Sequence, residues 1–228
     1  MKETFADKAF DFYKNLSLSV KLPPDVALMN PYGVPAVQNY VGQFLKKFFS
    51  DANPRILCLG INPGRFGSGV TGVTFTDPVA LSDFCGIEND LPRVRERSSE
   101  FVYAFIETWG GPEKFYRDFF LSAVCPLGFT REGINYNYYD SPALFAAVKP
   151  FTLETLARQI NLGANRKSVI ILGTGENQKF FAELNDEHKF FKKLYALPHP
   201  RFIMQYKRKQ LPAYLKKYGQ IFSQALSE

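Results

Sequence analysis

The sequence predicts an α/β fold: a three-layer α/β/α sandwich around a central, mainly parallel four-stranded sheet. Four short runs, Ile56–Ile61, Phe119–Val124, Ser168–Leu172 and Lys193–Leu197, are largely apolar rather than alternating, as strands buried on both faces of a parallel sheet are. Segments of helical apolar spacing lie between them, at Ser99–Trp109, Thr152–Leu162 and Asn177–Glu187. Strands alternating with helices imply right-handed crossovers and a layer of helices on each side. Loops bearing Gly, Pro, Asn and His fall at the carboxyl ends of the strands, where such sheets hold their ligands.

The remaining elements follow in order. Ala6–Asn15 and Val37–Phe49 have helical spacing and are joined by a Pro/Asn/Gly-rich connection around Leu22–Pro35, which predicts a helical part (residues 1–50) packed on a single domain of residues 1–228. The last helix, about Leu211 to Leu226, puts Leu211, Tyr214, Leu215, Tyr218, Phe222 and Leu226 on one face. With 46% hydrophobic and 16% aromatic residues in 228, the chain can bury a full core without a partner, and a monomer is expected. No apolar run approaches the roughly 18 residues that span a bilayer. Met1–Asp7 carries acids where a leader would be apolar. The expectation is a cytoplasmic protein, nucleoid-associated in a prokaryote, with no membrane contact.

Three cysteines, Cys58, Cys85 and Cys125, are an odd number without C-x-x-C spacing, which argues against a disulfide framework or a zinc site; buried inert thiols are the expectation. The net charge is +6, unevenly spread: from His188 to Ser227 there are nine Lys and Arg residues and no Asp or Glu. Such a stretch makes either a solvated face or a positive surface for phosphates, and the missing acids favour the second.

The first strand runs into Gly60-Ile61-Asn62-Pro63-Gly64-Arg65-Phe66-Gly67. Asn62, fixed by Pro63, can orient water or substrate with its amide, although on local composition alone Asn-Pro-Gly reads as an ordinary turn. No Gly-Lys-Ser/Thr closes the loop, so it is not a Walker phosphate loop. Gly173-Thr174-Gly175 is explained as well by the start of a helix as by a phosphate site. The fourth strand ends in Leu197-Pro198-His199-Pro200-Arg201-Phe202-Ile203-Met204. His199, held between prolines on the ligand side, is the better functional candidate of the two histidines; His188 lies in a charged helix end.

Gly60–Phe75, together with Val124-Cys125-Pro126-Leu127, Arg131–Asn135 and His199-Pro200 with its basic sequel, resembles in the same order the motifs of the single-strand-selective monofunctional branch of the uracil-DNA glycosylase superfamily. The resemblance implies a DNA glycosylase acting by direct hydrolysis, without metal or organic cofactor. Its partner would be DNA containing uracil or another damaged base, single-stranded, with double-stranded DNA left open. Carried over by position, Asn62 positions the attacking water and His199 donates to the base oxygen that gains charge. Phe75 stacks on the flipped base. Gly60, Ile61 and Gly64 line the pocket, with Gly64 beside the base's 5-position. Arg201, Phe202, Ile203 and Met204 enter the DNA, the alternative being an apolar plug into the protein itself. Arg65, Lys207, Arg208 and Lys209 contact phosphates.

The sequence departs from the family where an Asn reads the pyrimidine edge, because Ala123 stands there. Either Ser122 or Asn135 reads the base, or the preferred base differs from uracil; xanthine, hypoxanthine and hydroxymethyluracil are the candidates. A catalytically silent DNA-binding module and a nucleotide enzyme of the doubly wound type are the competing functions. Asn62 and His199 count against the first, and the absent phosphate loop against the second.

Overall fold

The computed structural model describes Glu3–Glu228; Met1 and Lys2 of the acid-bearing N-terminus lie outside the described residues. Helix α1 (Phe5–Lys14) opens with a reciprocal cap: Thr4 Oγ1 accepts from Asp7 N–H, and the Asp7 carboxylate accepts from Thr4 N–H. Strand β1 (Val26–Met29) and a 3-10 turn at Pro31–Gly33 lead to α2 (Pro35–Phe48), whose proline sits at the first helical turn, where its missing N–H costs nothing. Strand β2 (Arg55–Gly60) is buried throughout. Helices α3 (Ser68–Thr71), α4 (Pro78–Asp83), α5 (Arg97–Trp109) and α6 (Pro112–Asp118) carry the chain to β3 (Phe119–Ala123). Then come β4 (Gly128–Arg131), β5 (Ile134–Tyr136), α7 (Pro142–Asn161), β6 (Ala164–Leu172), α8 (Glu176–His188), β7 (Lys193–Leu197), α9 (Pro200–Tyr206) and α10 (Leu211–Leu226).

The central sheet has the order β3-β2-β6-β7, every neighbour parallel. Each of the four apolar runs is one of its strands, and helices flank it: α10 packs on β6 and β7, α7 and α8 on β6. One core of aromatic side chains joins α5, α6, β3 and α10, with Phe222 within 6 Å of the rings of Phe105, Phe115 and Phe119. At the amino end of β2 the fully buried Arg55 donates twice to Asp51, at 2.6 and 2.8 Å, between the rings of Phe5 and Phe49. Cys58, Cys85 and Cys125 are all buried, and burial pushes each thiol up.

Three features depart from the sequence expectation. A second, antiparallel sheet, β1-β4-β5, stands where irregular chain was expected. Its β4–β5 turn, Glu132-Gly133, has positive φ at both residues (51° and 71°), the geometry a two-residue hairpin needs. Helix α7 starts ten residues before the expected Thr152, because Ser141 caps it, Pro142 opens it, and Pro150 is accommodated inside it. The segment after His199, expected as a loop, is helix α9, with His199 as its N-cap and Pro200 at its first position.

Candidate active site

The carboxyl ends of β2, β3 and β7 open on a cavity of about 250 Å³. Gly60, Ile61, Asn62, Gly64, Phe75, Ala123, Asn135, His199, Arg201 and Phe202 all line it, so residues as far apart as 60 and 202 meet in one place.

Asn62 is held on the first loop. Its Oδ1 accepts from the Tyr138 N–H at 3.1 Å, and its Nδ2 faces the carbonyls of Tyr136 at 3.3 Å and Pro63 at 3.4 Å. This pattern fixes which end of the amide is oxygen and leaves one Oδ1 lone pair to accept from water. The small sheet supplies the brace, since Tyr136 ends β5 and Asn135 Oδ1 accepts from Arg65 N–H at 3.0 Å. Gly60 is required by close approach: a Cβ there would lie 2.6 Å from Phe75 Cζ.

Phe75 is buried and has φ 56°, a left-handed conformation that costs a bulky residue on the order of 1–3 kcal/mol. Thr71 holds the turn before it, donating to Thr76 O at 2.7 Å and accepting from Val73 N–H. The Phe75 and His199 rings sit 5.7 Å apart, tilted by 48°. His199 Nδ1 accepts from Arg201 N–H at 3.2 Å, so the neutral ring carries its proton on Nε2. Burial, and secondly the charge of Arg201, lower its pKa to about 4. At neutral pH His199 is therefore an uncharged donor.

Several predicted site residues lie elsewhere. Ser122 is buried on the opposite face of the sheet, hydrogen-bonded to Tyr13 Oη at 3.2 Å and to Gln159 Oε1. The reason is the two-residue alternation of β3: if Ala123 faces the cavity, Ser122 cannot. Ile203 and Met204 are buried in the contact of α9 with α5. The apolar run is thus partly the plug, and of its apolar members only Phe202, 43% exposed, faces out. Lys207, Arg208 and Lys209 do not line the cavity; Arg208 pairs with Glu100 at 2.6 Å. Lys189, Lys192 and Lys193 gather at the amino end of β7, the far end of that strand from His199, and Lys193 pairs with Glu228. The acid-poor stretch is therefore split between two ends of the sheet. Arg65 donates to Gly133 O and lies 4.4 Å over the Phe66 ring.

The sequence reading missed Glu96. It lines the cavity with its carboxyl group in the notch left by two glycines: Oε1 lies 2.6 Å from where a Gly64 Cβ would be, and the carboxyl also fills the place of a Gly67 side chain. Burial, then Asp77, raise its pKa to about 7, with Arg201 opposing. A Glu set among Arg93, Arg95 and Arg97 reads as solvated charge; the only signal was the side-chain-free pair Gly64 and Gly67. A second cleft shares Glu96, Asn135 and Arg201 with the cavity and adds Arg65, Arg95, Arg97, Phe66 and Ile134.

Comparison with known proteins agrees with this geometry. Residues 47–222 match the family model of the uracil DNA glycosylase superfamily. The rat single-strand selective monofunctional uracil-DNA glycosylase is 27% identical over 164 residues, 63% of this chain and 57% of that protein. Its bovine counterpart is 29% identical over 90 residues, 32% of this chain and 33% of that one. The match thus spans little more than half the length of the first of these relatives, and a third of the second. The crystal structure of wild-type Pedobacter heparinus SMUG2 superimposes over 100% of both chains with a TM-score of 0.96 at 44% identity.

Proposed function

The chain belongs to the uracil DNA glycosylase superfamily, and from that premise we propose that it is a monofunctional DNA glycosylase. Its substrate is uracil or a related deaminated base in DNA. It acts as one domain and as a monomer, on single-stranded DNA with double-stranded DNA as a further substrate. The observation that carries this reading is one cavity holding an oriented Asn62 amide, a neutral His199 with its Nε2 proton free, and the ring of Phe75.

The target base leaves the stack and enters the cavity, its face against Phe75. A water accepted by the free lone pair of Asn62 Oδ1 attacks the anomeric carbon of the sugar. The glycosidic bond breaks, its electron pair leaves with the base, and the water loses its proton to solvent. His199 Nε2–H donates to the base oxygen on which charge accumulates, an electrostatic stabilisation that is usually the largest catalytic contribution. A neutral donor suits this role, because it binds the anion without having to lose a proton at the operating pH. Phe202, exposed at the cavity mouth, is the side chain placed to fill the gap left in the DNA. Ala123 offers no hydrogen bond, so hypoxanthine and xanthine stand beside uracil as substrates.

The test is base release from single- and double-stranded oligonucleotides carrying uracil, hydroxymethyluracil, hypoxanthine or xanthine, with alkali to reveal abasic sites. Release from at least one is expected. DNA binding with no release from any would identify a silent binding module and overturn the proposal.

A further inference from the structure

The polar groups around the cavity are mostly committed. The Asn62 amide is fixed by backbone groups, and Asn137 is tied to Asp140 through its backbone N–H and its side chain. Asn135 spends its oxygen on Arg65 N–H and keeps only Nδ2 free to donate. Asp77, buried behind the wall, accepts from Ala80 N–H with one oxygen and from Glu96 N–H with the other, each at 2.8 Å. Glu96 is different. Its backbone is pinned by Asp77, yet no hydrogen bond or ion pair within the protein engages its carboxyl oxygens among the described residues.

The Glu96 side chain is half-buried, and its carboxyl group, unpartnered within the protein, is an open donor and acceptor facing the cavity where the base would lie. We propose that Glu96 is the residue that reads the base, pairing in its neutral acid form with a carbonyl and adjacent N–H of the flipped base. The acid O–H donates to the base carbonyl and the acid C=O accepts from the neighbouring N–H. This two-bond pattern fits uracil, hypoxanthine and xanthine, which share that edge. The proposal rests on the glycosylase reading and deepens it.

The surrounding charges bring the neutral acid within reach at neutral pH. The groups facing Glu96 are Asp77 at the start of α4, His199 and Arg201 at the start of α9, Arg65 on the first loop, and its chain neighbours Arg95 and Arg97. Asp77 and burial raise the acid, Arg201 opposes, and the result stands at about 7. An ionised Glu96 would repel the negative charge that builds on the departing base, so ionisation removes a donor and opposes the chemistry at once. Asn135 Nδ2 lies 3.4 Å from the same point beside Gly64 and can add a second donor to the base oxygen.

The experiment is single-turnover base release from uracil- and hypoxanthine-containing oligonucleotides, from about pH 6 to about pH 8.5, across the range where a single ionisation near neutrality acts. Wild-type protein, Glu96→Gln and Glu96→Ala are compared, with melting temperatures recorded for each. The wild-type rate is expected to fall about tenfold per pH unit above the Glu96 midpoint, as loss of one essential proton requires. Glu96→Gln keeps a donor and an acceptor at every pH, so its profile is flat and it overtakes wild type at the alkaline end. Glu96→Ala, folded by its melting temperature, loses most release. Parallel profiles for wild type and Glu96→Gln, or wild-type rates in folded Glu96→Ala, would overturn the assignment. Should wild-type protein release no base at any pH, the glycosylase reading itself has failed and this inference falls with it, an outcome visible before any variant is made.

Discussion

The two walls of the cavity are built differently. The wall after β2 is held from several directions: Tyr138 N–H on Asn62, Asn135 on the Arg65 N–H, the Phe75 ring over Gly60. The wall formed by α9 is anchored at His199 and by the buried Ile203 and Met204, while Arg201, Phe202, Gln205 and Tyr206 stay exposed. On the proposed reading, the groups that would need placing to within tenths of an ångström are Asn62 on the braced wall and His199 where α9 joins the sheet. On the proposed reading, the groups that would meet DNA sit on the free side. Bond-making geometry tolerates little displacement, whereas DNA contacts can adapt, and the hydrogen bonds are distributed accordingly.

The largest effects should come from the two groups held by hydrogen bonds, one on each wall. Asn62→Ala and His199→Ala are each expected to lower single-turnover base release by roughly 10²–10³-fold, the usual consequence of removing one group aimed at developing charge. DNA affinity measured by fluorescence anisotropy should stay within a few-fold. Full activity in both variants, or loss of the fold in both, would remove the chemistry from this cavity.

The next contrast lies within α9. Ile203→Ala is expected to cost about 2–5 kcal/mol of stability in denaturant unfolding, as buried aliphatic truncations do. Phe202→Ala, one residue earlier but exposed, should leave stability nearly unchanged and slow release from double-stranded DNA by roughly tenfold, with a smaller effect on single strands where no stack must be filled. Equal stability losses at the two positions would mean that α9 presents no free face.

Much of this arrangement could be read from the sequence. The four parallel strands announce themselves because each is a largely apolar run, as strands buried between two layers are. Asn62 and His199 stand out because prolines and glycines fix them at strand ends. The small sheet did not, for physical reasons: its strands are three or four residues long, and its tight turn is Glu132-Gly133 rather than Asn-Gly. Ser122 was misplaced because position along a strand says nothing of face until the register is known. Ile203 and Met204 read as a wedge because a proline-flanked segment looked like loop; once it is helical, its spacing turns them inward. Glu96 could not be seen, since a neighbourhood of arginines conceals burial that only the folded chain creates.

A smaller effect is expected at the basic segment beyond α9. Replacing Lys207, Arg208 and Lys209 together should weaken DNA binding at every sequence and flatten its salt dependence, measured as the slope of affinity against salt concentration. Arg208 already pairs with Glu100, so much of the loss should come from the two lysines, and restoring Arg208 alone should recover little. An unchanged slope would exclude this segment from the interface.

The smallest effect opposes the two sides of the cavity through their titrating groups. His199 is lowered to about 4 in the folded protein from an ordinary value near 6.5. Between those values the unfolded chain binds the extra proton, so this group makes stability fall as pH drops from about 6.5 to about 4. Glu96 is raised to about 7, so between its ordinary value and about 7 the folded state binds the extra proton, and stability falls as pH rises. Across the shared window the two slopes cancel in part, and the wild-type melting temperature should be nearly flat. Glu96→Gln removes one slope and leaves the protein gaining stability as pH rises through that window. His199→Asn keeps an N-cap acceptor for α9 and leaves the opposite trend. Each is expected to tilt the melting curve by about a few degrees over the window. Tilts of the same sign in both variants would show that the titrating groups are not the two facing each other across the cavity.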